Sequence, residues 1–218
     1  MVKPTYKLLD PRPRKLESPY TFYLPSAEEL AEVSPGVIVK LMFSAIPASE
    51  KYDAERMWVE VNERQGDQLI GTLDNDPSDI PGLTCGDAVE FELHHIIAVY
   101  WEDPNLKARF SSDFDNWFAR CFVDPAVLEG RARVGFLYRE DPEHEEGDKY
   151  PDTGWRIRAD VMELSDAEYE AYDEIVPEYV AIGSVLNRDD SILSVLGAPT
   201  GSRFVRDEKT GVFIEDDD

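Results

Sequence analysis

Apolar side chains return at every second position through run after run of this chain, a period that commits most of it to β-strands with one covered face. Val37, Val39, Leu41 and Phe43 share one face of such a strand, and Met57, Val59 and Val61 repeat the pattern. The turn Gln65-Gly66-Asp67 leads to Leu69, Gly71 and Leu73. A second turn, Cys85-Gly86-Asp87, leads to a long run in which Val89, Phe91, Leu93, Ile97 and Val99 alternate. Strands in succession with short turns predict an antiparallel meander. Ser26 followed by Glu29 has capping-box spacing and starts a short helix that stops before Pro35-Gly36. Residues 25–103 therefore read as one small α+β unit.

The alternation is interrupted over residues 102–112, a polar stretch containing Pro104, and then restarts. Residues 118–123, 134–138 and 155–161 read as strands, the last two separated by an acidic loop at 141–148. Ser165 and Glu168 repeat the capping box, with Leu164 and Tyr169 at hydrophobic-staple spacing, so a helix begins there. Residues 179–186 read as a further strand. Asp189 or Asp190 caps a helix through Leu196 that Gly197 and Pro199 end. Residues 203–205 and 212–214 flank a turn and make a final hairpin. Residues 113–215 are thus a second α+β unit. The predicted fold class is α+β, with two small units, each a mainly antiparallel sheet carrying one or two helices. Ahead of both, residues 1–24 hold Lys3, Lys7, Arg12, Arg14 and Lys15 among prolines, and predict an extended basic arm lying on an acidic body.

That body is strongly acidic. Forty-six Asp and Glu against 22 Lys and Arg give a net charge of −24, yet 42% of residues are hydrophobic, which leaves material for a core. Such a field repels nucleic acid and anionic membrane and attracts a basic protein partner. No apolar run approaches the roughly 20 residues of a membrane span, and the N-terminus lacks the apolar segment of a signal peptide, so a cytoplasmic location is expected. Cys85 and Cys121 form neither a CxxC pair nor a disulfide framework, which suits a reducing compartment.

Motifs for chemistry are sparse. The loop Asp74-Asn75-Asp76-Pro77-Ser78-Asp79 gathers three carboxylates but fails the calcium-loop test, with Asp79 where glycine is required and Cys85 where a bidentate Glu belongs. Turn stabilisation by its own Asp and Asn side chains explains it. His94 and His95, read as neighbours on a strand, point to opposite faces, with His95 on the apolar one. His144 lies among Glu143, Glu145 and Glu146 in the acidic loop. No GxSxG, Walker, GxGxxG or HExxH pattern occurs, so no catalytic residue, cofactor or metal site is assigned. Trp58 faces away from Met57, Val59 and Val61, either under the N-terminal arm or as an interface anchor. Arg156 and Arg158 share the polar face of a strand whose other face carries Trp155 and Ile157. With Arg133 and Arg139 on a neighbouring strand they would form a basic cluster, either paired internally or open to an anion or acidic partner.

The segments Arg120-Cys121-Phe122-Val123-Asp124, Val134-Gly135-Phe136-Leu137-Tyr138-Arg139-Glu140, Gly154-Trp155-Arg156, Ser184-Val185-Leu186-Asn187, and Leu196 to Ser202 through Phe204-Val205-Arg206 resemble, in order, the bacterial immunity-protein family thirty-three. One departure stands after Gly154-Trp155-Arg156: a Gly-Asp-Glu-like turn is replaced by Arg158-Ala159-Asp160-Val161-Met162-Glu163. The first half resembles the YegJ-like uncharacterised bacterial domain through Met57-Trp58-Val59-Glu60, Gly71-Thr72-Leu73-Asp74-Asn75-Asp76-Pro77, and Gly86-Asp87 followed by Val89 and Phe91. The resemblance implies a cytoplasmic immunity protein that neutralises a toxin of a polymorphic secretion system, or a regulatory relative of one.

The expectation is a non-enzymatic acidic binding protein that captures a basic protein toxin on its surface. Partner-binding candidates are Trp58, Asp74, Asp76, Arg139, Glu143, Glu145, Glu146, Trp155 and Arg156. The alternatives are a carboxylate enzyme using Asp74, Asp76 and His94 with a divalent metal, and a regulatory module without a toxin partner.

Overall fold

The computed structural model describes residues 4–111, 113–143 and 149–216. The fold is α+β, and the chain divides into two compact units, Met1–Ser112 and Asp113–Asp218.

The first unit runs β1 (Tyr6–Leu8), α1 (Arg12–Glu17), α2 (Ala27–Glu32), β2 (Ile38–Ala45), β3 (Glu55–Gln65), β4 (Gln68–Leu73), β5 (Ala88–Glu92), β6 (Ala98–Tyr100) and α3 (Pro104–Arg109). The meander is there: β2, β3, β4 and β5 pair in sequence order, all antiparallel. Its alternation sorts the faces as period two requires. Val39, Leu41, Phe43, Met57, Val59, Val61, Leu69, Leu73, Val89 and Phe91 all lie in one buried cluster. Gly71 sits where β4 crosses β3 closely; a Cβ there would come within 2.5 Å of the Glu60 carbonyl oxygen and the Val59 side chain.

The N-terminal segment is not an extended arm throughout. Tyr6–Leu8 pairs with Phe43 to Ala45 of β2, with further bonds from the Leu9 N–H to the Met42 carbonyl at 3.0 Å and from the Ile46 N–H to the Thr5 carbonyl at 2.7 Å. Tyr6 packs its ring on Phe43, 5.4 Å between centroids, so strand pairing and apolar contact hold this stretch. Farther along the same edge of β2, β6 pairs with residues 38–40. Arg12–Glu17 is helical, with Pro13 in its first turn.

Three other elements differ from the sequence expectation. The run through Leu93 and Ile97 is broken by a 3-10 turn at Leu93–His95, because the chain must leave β5 to reach β2. His94 and His95 consequently stack on each other, 4.0 Å between ring centroids, instead of pointing to opposite faces. The interrupting stretch contains α3, which Asp103 caps by accepting the Asn105 N–H at 2.8 Å, with Pro104 at the first helical position. Glu29 supplies only the spacing of a capping box: Ser26 Oγ accepts the Glu29 N–H at 3.0 Å, but the Glu29 carboxylate is buried and takes Tyr23 Oη at 2.8 Å and Trp101 Nε1 at 3.1 Å. It pins α2 to the core instead of closing the helix end.

The second unit contains β7 (Arg120–Val123), α4 (Pro125–Leu128), β8 (Val134–Arg139), β9 (Asp152–Ala159), α5 (Asp166–Glu170), β10 (Glu178–Ala181), α6 (Ile182–Leu186), β11 (Arg203–Arg206) and β12 (Phe213–Glu215). Its sheet order is β10-β7-β9-β8-β11-β12, antiparallel except for β7 against β9. Ser165 and Glu168 close a reciprocal capping box on α5, as their spacing predicts. The strand expected over 179–186 stops at Ala181 and turns into α6. Ile182, Val185 and Leu186 are all buried, at the i, i+3, i+4 spacing of one helical face. The core lies on the sheet face carrying Cys121, Val123, Leu137, Trp155, Ile157 and Ala159.

Candidate functional site

Register places a continuous row of side chains on the other face of the second sheet. Tyr179 stands opposite Phe122, Phe122 opposite Arg156, Arg156 opposite Tyr138, and Tyr138 opposite Arg203. A second row runs Arg158, Phe136, Val205, Ile214. Rings and guanidinium groups interleave: Phe122 and Tyr179 are 4.8 Å apart, Arg156 lies 4.7 Å over Phe122, and Arg203 lies 5.6 Å over Phe136. Tyr179, Val205 and Ile214 are 44%, 37% and 50% exposed, so this face is open toward both edges of the sheet, with Arg156 buried between them.

The arginines on it are held by acids of the same unit. Gly154, at φ +81, distorts β9 so that four residues of β9 span the step that two residues of β7 make from Arg120 to Phe122. The distortion folds Arg156 back on its own strand. Its guanidinium makes two bonds to Asp152, Nη1 to Oδ1 at 3.1 Å and Nη2 to Oδ2 at 3.0 Å, and a third from Nε to Glu140 at 2.9 Å. Burial pushes the Asp152 carboxyl up. The Arg156 guanidinium and the N–H groups of Glu143 and Gly154 outweigh it and hold that carboxyl below its ordinary value. Arg158 donates to the buried Asp124 at 2.9 Å, whose Oδ2 also takes the Ala159 N–H, and it lies 4.5 Å over the Tyr172 ring. Burial, then the Asp124 charge, raises the Tyr172 hydroxyl.

The four expected arginines do not form one cluster. Arg156 and Arg158 share the open face, whereas Arg139 stands opposite Trp155, directing Nε to the Thr153 carbonyl at 2.9 Å and Nη1 to the Ala198 carbonyl at 2.6 Å. Arg133 precedes β8 and pairs with Glu163. Trp155 is 1% exposed in the core and donates its indole N–H to the Leu196 carbonyl at 3.3 Å, so it is no surface anchor. Arg156, 8% exposed, meets solvent at its margin alone.

Trp58 is half-buried on the outer face of the first sheet, with Lys40 Nζ 4.1 Å from its ring centroid and Tyr100 edge-on at 6.4 Å. Asp74 and Asp76 are exposed at a turn braced by backbone bonds. The Asp74 N–H donates to the Trp58 carbonyl at 2.9 Å, and Asp76 accepts the Cys85 N–H at 3.0 Å. Glu143 is exposed and donates its N–H to Asp152 at 3.0 Å; Glu145, Glu146 and His144 lie outside the described residues. His94 pairs with Glu92 at 3.2 Å, while His95 accepts the Glu92 N–H at 3.0 Å and is pushed below its ordinary value by burial and then by His94. Among the described residues no three His, Cys, Asp or Glu stand close enough to hold a metal ion.

The residues that sequence reasoning missed are the outward aromatics Phe122, Phe136, Tyr138 and Tyr179. Their signal was parity: Phe136 and Tyr138 flank the core residue Leu137, and Phe122 lies between Cys121 and Val123, so both strands carry apolar groups on both faces.

Residues 121–217 match the family model described as the Immunity protein Imm33 domain, and residues 24–103 match one described as an uncharacterized protein conserved in bacteria, DUF2314. No curated protein and no solved structure matches the chain. No helix among the described residues is long and apolar enough to cross a membrane.

Proposed function

We propose that this chain is a non-enzymatic immunity protein of the cytoplasm that holds a basic protein toxin on its surface and blocks it. The observation that carries the reading is the open sheet face inside the stretch matching an immunity-protein domain. Partly exposed tyrosine, phenylalanine, arginine and aliphatic side chains on rigid strands have the composition of a protein-binding surface. The arginines are already ion-paired and stacked, so docking orders few side chains. The net charge of −24 supplies long-range attraction for a cationic partner and raises the encounter rate. The acceptance of the Cys85 N–H by Asp76 within its turn, and the pairing of His94 with Glu92, support structural roles for these two groups.

The test is co-production with the basic protein toxin proposed as its partner. Wild-type protein is expected to protect the host and to bind the purified toxin, with an association rate falling at least about tenfold between about 50 and 500 mM salt. A salt-independent association rate, or no protection, overturns it.

A further inference from the structure

An apolar groove of about 260 Å³ lies between α4 and the segment around α5, lined by Pro125, Ala126, Leu164, Ala167, Ala171 and Ile175. An ion pair between Arg131 and Glu168 stands at its rim. Next to it in the chain are Tyr169 and Val176, 60% and 80% exposed, which adds apolar surface to this segment. No lysine or arginine occurs between Arg158 and Arg188, while the exposed acids Asp166, Glu170, Glu174 and Glu178 fall along this segment. An apolar slot bordered mainly by acids, its rim cation Arg131 already paired with Glu168, selects its occupant on two counts: an uncharged side chain to fill it, and cations on either side.

We propose that this groove is a docking site for a leucine or phenylalanine side chain carried by a lysine- or arginine-rich segment of a partner protein. It rests on the reading of the chain as a binder of a basic protein and adds the place where one anchor of that partner enters. The groove accounts for discrimination that charge alone lacks, because a purely polar basic segment leaves it empty.

The probe is a dye-labelled peptide, KKLFKK, followed by fluorescence anisotropy and by amide shifts in the NMR spectrum of the full chain. Binding is expected with shifts at Leu164, Ala167 and Ala171, and affinity at least about tenfold lower for KKSSKK and for EELFEE. Ala167→Arg, at an exposed helical position, is expected to keep the native spectrum elsewhere and to lose at least about tenfold in KKLFKK affinity. Absence of binding, equal binding to Ala167→Arg, or shifts confined to other surfaces overturns the proposal. So does a concentration-dependent dimer that Ala167→Arg abolishes without peptide binding, since the groove would then face a second copy. If Ala167→Arg still binds the toxin at wild-type strength, the groove loses its role and the immunity reading stands. If wild-type protein binds no toxin, that reading falls, and the peptide alone decides the groove.

Discussion

Arg156 closes a two-bond ion pair on Asp152, four residues earlier on the same strand, a reach that a regular strand of about 3.3 Å per residue does not permit. The left-handed Gly154 between them makes it possible. With both side chains almost wholly buried, the pair is a fixed part of the sheet, and removing one member strands the other's charge. Arg156→Met is expected to lower unfolding free energy by about 3 kcal/mol, and the double variant Asp152→Asn/Arg156→Met to regain part of that loss. Urea titration of the three proteins checks it.

Gly154→Ala is expected to be worse tolerated than its size suggests. The φ of +81 disfavours any side chain, and a Cβ would meet the Glu140 carbonyl oxygen, which is backbone and cannot swing aside. A melting temperature lowered by several degrees, or failure to accumulate as folded protein, is the expected outcome; an unchanged melting curve contradicts the packing described.

The depressed Asp152 carboxyl sets a pH dependence with a definite sign. Its folded value lies below the ordinary 3.8, so its contribution is fully present above that value and is lost as pH falls through the folded value. Stability measured by denaturant between about pH 5 and pH 2 is expected to fall, and to fall less steeply in Asp152→Asn.

The two cysteines are expected to differ in reactivity. Cys85 is exposed, whereas burial, and then the Asp152 charge, push the Cys121 thiol up to about 12. A thiol reagent at neutral pH should label Cys85 alone in the native protein, and Cys121 after unfolding.

Tyr179→Ala and Ile214→Ser change exposed residues of the open sheet face. Each is expected to leave the melting temperature near wild type and to weaken toxin binding by about tenfold or more, mainly through faster dissociation. Surface plasmon resonance with the cognate toxin reads both rates.

The parts of the fold written in local periodicity were legible. Val39, Leu41 and Phe43 alternate with half-exposed neighbours, and Ser165 with Glu168 announces its helix, because each pattern is complete within a few residues. Ile182, Val185 and Leu186 were misread because an apolar run suits a buried strand or a buried helix equally, and only packing decides. The pairing of Arg156 and Arg158 with acids was among the readings that alternation allowed. Which acids they meet depends on the Gly154 distortion and on Asp124, at the end of a different strand. The open face escaped notice for a similar reason: parity tells that Phe122 and Arg156 point the same way, but not that Tyr179, Val205 and Ile214 beside them stay exposed.

The outer edge of β2 is closed by two separate short strands, β1 over one half and β6 over the other. A bare edge of that length is a template on which strands of other molecules can add, and this one is sealed from within the chain. The opening residues therefore act as a guard against polymerisation: a version lacking Tyr6–Leu8 would keep its meander but offer the far half of β2 to its neighbours, and stickiness in solution would be the first sign of the loss.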